Sequence, residues 1–250
     1  MSEARLVIHA DADVLASAVA ARLAVRLIDA QAEHGTASIV LTGGRIAEKI
    51  YTALAAAPVS DAVAWDRVDL WWGDERFLPS GHPDRNETQI RSALLDKLPL
   101  AAERVHPMPA SDGPDGDDPE AGAISYAEDL ASAAGGRGEL PRFDVVLLGI
   151  GEDGHVASVF PDHPLVDPSR PVSAVRDSPK PPPIRTTLTL DALNTAHDVW
   201  ILASGTEKAD AVGWALAGAE PAHVPAAGAR GARRTLWLVD RAAAAGVAHR

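Results

Sequence analysis

Residues 143–151 read FDVVLLGIG, a continuous apolar run with β-branched members that stops abruptly at glycine. A strand with one wet face alternates apolar and polar residues, whereas a strand buried on both faces does not. This run therefore predicts a strand inside a parallel sheet. Parallel neighbours need a crossover of a dozen or more residues, usually a helix. The rest of the chain must then alternate strand and helix.

It reads that way. Strands are predicted over 5–9, 38–44, the apolar part of 68–79, 185–190, 198–204 and 234–240. Helical periodicity is predicted over 13–33, ending near Gly35, over 45–57, closed by Pro58, and over 85–98. Further helices are expected after the acidic Gly/Pro loop at 110–122, as far as about 134, and over 206–218. The Pro-rich stretch 161–184 is read as loop. The pattern means an α/β fold with a largely parallel sheet. There is no internal repeat and no linker, so residues 1–250 are expected to form a single domain.

Composition narrows the function. The net charge is −12 and no basic tract exists, which argues against a nucleic-acid partner. The absence of cysteine removes disulfides, thiolate catalysis and zinc–cysteine sites. No run of about 18 apolar residues is present, so no membrane span is expected. The N-terminal residues lack a signal-peptide pattern, and a cytoplasmic protein is expected.

In open parallel sheets ligands sit beyond the carboxyl ends of the strands. Four loops at those ends share a character: TGGR at 42–45, GDER at 73–76, GEDGH at 151–155 and SGTEK at 204–208. Gly43 and Gly44, between a strand and a helix, allow close backbone approach to an anion. They match neither the dinucleotide fingerprint nor the Walker loop, so no nucleotide cofactor is indicated. Asp74, Glu75 and Arg76 read either as a solvated turn or as site residues. Trp71 and Trp72 read as packing residues. His155 follows Glu152 and Asp153, and a carboxylate that close can fix an imidazole tautomer. The set His155, Asp153, Asp162 and His163 has no recognisable metal-ligand spacing, and no metal is expected. The segment at 112–118 lacks calcium-loop spacing. Lys208 and Arg185 are the remaining cations of interest, with solvent exposure as the alternative for each.

Together, FDVVLLGIGEDGHVASVFP, WWGDERFLP, DSPKPPPIRTTLTL and SGTEKADAV resemble the 6-phosphogluconolactonase family, in order and spacing over roughly residues 5 to 240. The resemblance implies a Rossmann-like sheet with helices on both faces, shared with glucosamine-6-phosphate deaminases. It implies hydrolysis of a sugar-phosphate lactone without a cofactor, and a monomer is expected. It assigns His155 as the base that activates water, with Glu152 and Asp153 as the neighbouring acids of that loop. Either an acid of that loop or Asp74 orients the ring. Arg76, or backbone N–H groups of the glycine loops, are expected to hold the oxyanion. By the same resemblance Lys208, Gly43 and Gly44 are expected to hold the phosphate, with Arg45 and Arg185 as further candidates. Where the family often reads Ser-Gly-Gly-Ser-Thr-Pro, this chain reads Thr42-Gly43-Gly44-Arg45-Ile46-Ala47. Either Arg45 replaces the missing hydroxyls with charge or the turn contributes backbone N–H groups alone. The nearest rival is the deaminase group, whose loop typically continues differently from VASVFP at 156–161; a non-catalytic sugar-phosphate sensor is a rival of another class.

Overall fold

The computed structural model describes residues 4–135, 140–163 and 169–247. The chain runs β1 (Ala4–His9), α1 (Ala12–His34), β2 (Ala37–Leu41), α2 (Arg45–Ala56), β3 (Val68–Trp72), β4 (Asp74–Arg76), α3 (Asn86–Ala93) and β5 (Val105–His106). It continues with α4 (Pro119–Ala133), β6 (Val145–Gly149), β7 (Val172–Val175), β8 (Arg185–Leu188), α5 (Leu190–Leu193), β9 (Asp198–Ala203), α6 (Ala209–Leu216) and β10 (Arg234–Asp240).

Seven strands form the central sheet in the order β1-β10-β9-β6-β2-β3-β5. Every neighbouring pair is parallel. Every residue of β2 and β9 is buried, as their unbroken apolar runs require. Helices pack around the sheet. On α1 the buried positions Leu15, Val19, Leu23 and Leu27 recur every four residues. Asp11 caps its start by accepting the Asp13 and Val14 amides, and left-handed Gly35 ends it. Trp71 and Trp72 are fully buried, so they are packing residues as the sequence suggests.

The structure corrects three details. The charged residues after Trp72 are themselves a strand, β4, in a second, antiparallel sheet of order β4-β8-β7. Residues 185–190 therefore do not join the parallel sheet, because β8 pairs with β4 and β7. Gly73 joins the two sheets: its amide donates to Leu41 O at 2.9 Å, and its carbonyl accepts from Leu188 N at 2.8 Å. Strand β7 lies inside the Pro-rich stretch read as loop; residues 164–168 of that stretch lie outside the described residues. The helix expected over 85–98 ends at Ala93, because buried Leu94 and Leu95 turn into the core.

The chain order creates one special crevice. From β2 it crosses to β3 on one side, and from β6 it crosses to β9 on the other. Adjacent strands whose connections diverge leave a gap beyond their carboxyl ends. At the opposite rim, buried Asp144 ties the two strands at their starts. It accepts the Ser38 amide at 2.9 Å and lies 3.4 Å from Arg26 of α1. Replacing Asp144 with Ala leaves that amide and the guanidinium without this partner. The expected loss is about 2–3 kcal/mol. For a chain of this size that lowers Tm by roughly 5–10 °C. Thermal melting measures it, and activity per folded molecule is expected to survive because Asp144 lies far from the cleft.

Candidate active site

The crevice opens into a cleft of about 520 Å³. Its floor comes from the chain at the carboxyl ends of β2, β6 and β9 and from the start of β4, through Thr42–Gly44, Gly149–Gly151, Ser204–Gly205 and Asp74. Six cationic side chains line it (Arg45, Lys49, Arg76, Lys180, Arg185 and Lys208) against two acids, Asp74 and Glu207. A chain of net charge −12 thus reverses its sign locally.

His155 lies at one wall. Its Nδ1 is 2.6 Å from Asp153 Oδ1, and the Phe160 ring packs 4.7 Å from the imidazole. An ionised carboxylate only accepts, so Nδ1 carries the hydrogen and Nε2 keeps its lone pair. The couple folds back over Gly151, where a Cβ would stand 2.0 Å from His155 Nδ1 and 2.3 Å from Asp153 Oδ1. Only glycine leaves that space. Burial raises the Asp153 carboxyl, but the hydrogen bond from His155, with Lys180 at 3.4 Å, outweighs it and holds the group far below the ordinary carboxylate range.

Across the cleft the small sheet supplies Asp74 and Arg76. Asp74 accepts from Ser158 Oγ at 2.7 Å and, through its backbone carbonyl, from Asn86 Nδ2 at 2.9 Å. Arg76 stands opposite Arg185 in the β4–β8 register. Like charges directly opposite are unfavourable, and Asp74, 3.9 Å from Arg185, partly offsets them. Arg76 donates from Nη1 to Asp84 O at 2.6 Å. Beneath them Glu75 is fully buried and accepts the amides of Arg76, Asn86 and Glu87 at 2.7–2.8 Å. It caps α3 from a distant strand, and burial pushes its carboxyl up to about 7 against the pull of Arg85 and those donors.

At the far end, Gly44 begins α2 with φ 103° and no side-chain cap, which leaves the first helical amides free beside the cleft. Lys208 also lines this end. Burial draws its ammonium below the ordinary lysine value, with Glu152 at 4.0 Å pulling the other way.

A profile described as glucosamine-6-phosphate isomerases/6-phosphogluconolactonase matches residues 10–237. The chain is 56% identical to a 6-phosphogluconolactonase of Streptomyces coelicolor, over 96% of this chain and 93% of that one. It is 47% identical to one of Mycobacterium tuberculosis, over 95% and 96%. The solved structure of the Trypanosoma brucei 6-phosphogluconolactonase superposes with a TM-score of 0.81 at 30% identity, over 99% of this chain and 100% of that one. The chain belongs to the glucosamine-6-phosphate isomerase/6-phosphogluconolactonase family.

Of the residues that the family resemblance singles out, Gly43, Gly44, Arg45, Asp74, Arg76, His155, Arg185 and Lys208 all border the cleft. Asp153, rather than Asp74 or Glu152, contacts the His155 ring. Glu152 is exposed and is not among the lining residues. Arg185 lines the cleft, but its Nε and Nη2 donate to the carbonyls of Lys180, Pro181 and Pro182 at 3.1–3.2 Å. Arg185 thus braces the proline loop that carries Lys180. Lys180, Asn86, Lys49 and Glu207 are among the lining residues that sequence reading missed. The stiff SPKPPP run was the available signal for Lys180; Asn86 reads only as the start of a helix. Among the described residues, no three His, Cys, Asp or Glu side chains gather into a metal site.

The Asp153–His155 couple makes a pH prediction with a definite sign. A carboxylate lowered on folding adds stability above its unfolded value of about 3.9, and that stability is lost as pH falls through the native value. The advantage of the wild type over Asp153→Asn is expected to stay level from neutral pH to about 5 and to shrink below about 4, as read by urea unfolding. In the same variant kcat is expected to fall by roughly 10²–10⁴, because an amide can present N–H to Nδ1 and force the proton onto Nε2.

Proposed function

We propose that this chain hydrolyses 6-phosphoglucono-1,5-lactone to 6-phosphogluconate, with His155 as general base. The observation that carries the reading is the Asp153–His155 couple beside a cation-rich cleft in an otherwise acidic protein. Strongly similar relatives named 6-phosphogluconolactonase support the reaction class.

The chemistry is compact. His155 Nε2 takes a proton from water as the water oxygen bonds to the lactone carbonyl carbon. The carbonyl oxygen gains negative charge, for which Arg76 and Lys180 offer cations in the same cleft. As the tetrahedral centre collapses, the bond to the ring oxygen breaks and that oxygen takes the proton back from the imidazolium. Asp153 holds the imidazole in the reactive tautomer throughout. The phosphate is assigned to Lys208, the Gly43–Gly44 turn and Arg45. Arg45 is ion-paired with Glu207, so the α2 amides and Lys208 are the phosphate's primary partners. Arg185 serves this site through the Lys180 loop and Asp74 rather than through the phosphate. One contiguous core supports reading the chain as a single domain, and we take it to act as a monomer in the cytoplasm. Light scattering at a mass other than 26.1 kDa would overturn the monomer.

Purified protein is expected to hydrolyse the lactone well above the spontaneous rate, to keep that activity after chelation, and to release no ammonia from glucosamine 6-phosphate. Faster ammonia release would make it a deaminase. His155→Ala is expected to lower kcat by roughly 10²–10⁴ with a much smaller change in KM; a near-normal kcat would make His155 structural. Lys208→Ala is expected to raise KM for the phosphorylated lactone about 10-fold or more. Its effect on unphosphorylated gluconolactone should be far smaller. Equal effects on both substrates would remove Lys208 from the phosphate site.

A further inference from the structure

Arg45 opens α2 after β2, and Glu207 sits in the short turn Thr206–Lys208 after β9. The two segments border the cleft from different strands, and their side chains meet: Arg45 Nη2 donates to Glu207 Oε1 at 2.7 Å. The arginine side chain is 87% exposed, whereas the glutamate is only 35% exposed. Glu207 folds back across its own turn, with Oε2 only 2.3 Å from where a Cβ on Gly205 would stand. Its neighbour Lys208 borders the same cleft. An acid therefore lies among the cations assigned above to a dianionic phosphate, where like-charge repulsion opposes binding.

We infer that Glu207 is a specificity-determining residue, an internal counter-anion that occupies Arg45 until the substrate phosphate displaces it. The inference rests on the phosphate assignment made above. The hydrogen bond from its own backbone amide and the Arg45 guanidinium hold the Glu207 carboxyl below the ordinary glutamate range, so the competitor stays charged at neutral pH. A phosphate dianion, with more charge and more acceptor oxygens, displaces a single carboxylate from a guanidinium. A singly charged group gains little by the exchange. The pair thereby lowers affinity for weak anions and reserves Arg45 for a phosphate ester.

The test is calorimetric binding of 6-phosphogluconate and of gluconate to the wild type, Glu207→Gln, Arg45→Ala and the double variant. An exposed ion pair of this kind sets the scale: Glu207→Gln is expected to tighten 6-phosphogluconate by about 2- to 5-fold. Gluconate should change less, and the gain should shrink when Arg45 is already Ala. Weaker or unchanged binding of 6-phosphogluconate in Glu207→Gln would overturn the inference, as would equal tightening of both ligands. Lys208→Ala separates this result from the underlying reading. If Lys208→Ala lowers the preference for 6-phosphogluconate while Glu207→Gln does not raise it, only the role of Glu207 fails. If neither variant changes that preference, the phosphate assignment itself is wrong.

Discussion

A fully parallel sheet buried on both faces has one outlet for polar chemistry, the rim where its strands end. The inner strands of the central sheet obey that constraint and carry almost nothing but apolar residues. The glycines, acids and cations that cannot enter the core therefore gather at the carboxyl ends of β2, β6 and β9 and at the start of β4. The diverging connections of β2 and β6 turn that rim into a cleft. At the opposite rim, Asp144 and Arg26 clip the strand starts together and so hold the register on which the cleft depends.

Within the cleft, the charges are ordered by what holds each of them. Asp153 is committed to the imidazole, Asp74 to Ser158 and Asn86, and Glu75 to three backbone amides. Arg185 spends its donors on the carbonyls around Lys180. These groups are immobilised before any ligand arrives, which is how a site stabilises developing charge without reorganising. Arg45 and Lys208 are less tightly held, the first by a rim ion pair and the second by an acid 4.0 Å away. The rigid half of the cleft suits bond-making, and the looser half suits capture of a mobile anionic tail.

Much of the fold was legible along the chain because most parallel strands are written as largely apolar runs and most crossover helices as periodic ones; the two-residue strand β5 was not. The small sheet was less legible. Strand β4 is only three residues long, all of them charged, and β7 is embedded among prolines. Their pairing comes from long-range contacts around Gly73 rather than from local pattern. Asn86 carried no signal for the same reason, since its role depends on Asp74 twelve residues away.

By itself the sequence determined the α/β class, the loops that carry the chemistry, and the short spacing Asp153-Gly154-His155 that puts an acid within reach of the imidazole. Those features are local: apolar periodicity, glycine punctuation and a two-residue offset need no distant partner. Only the tertiary structure decided which acid holds the ring, that Arg185 braces Lys180, that Glu75 caps α3, and that Arg45 meets Glu207. Most of those contacts join segments apart in the chain or select among equally charged neighbours, and the Arg185 brace depends on how one loop folds back on itself. That choice is made by packing and hydrogen-bond geometry, which a one-dimensional pattern does not encode.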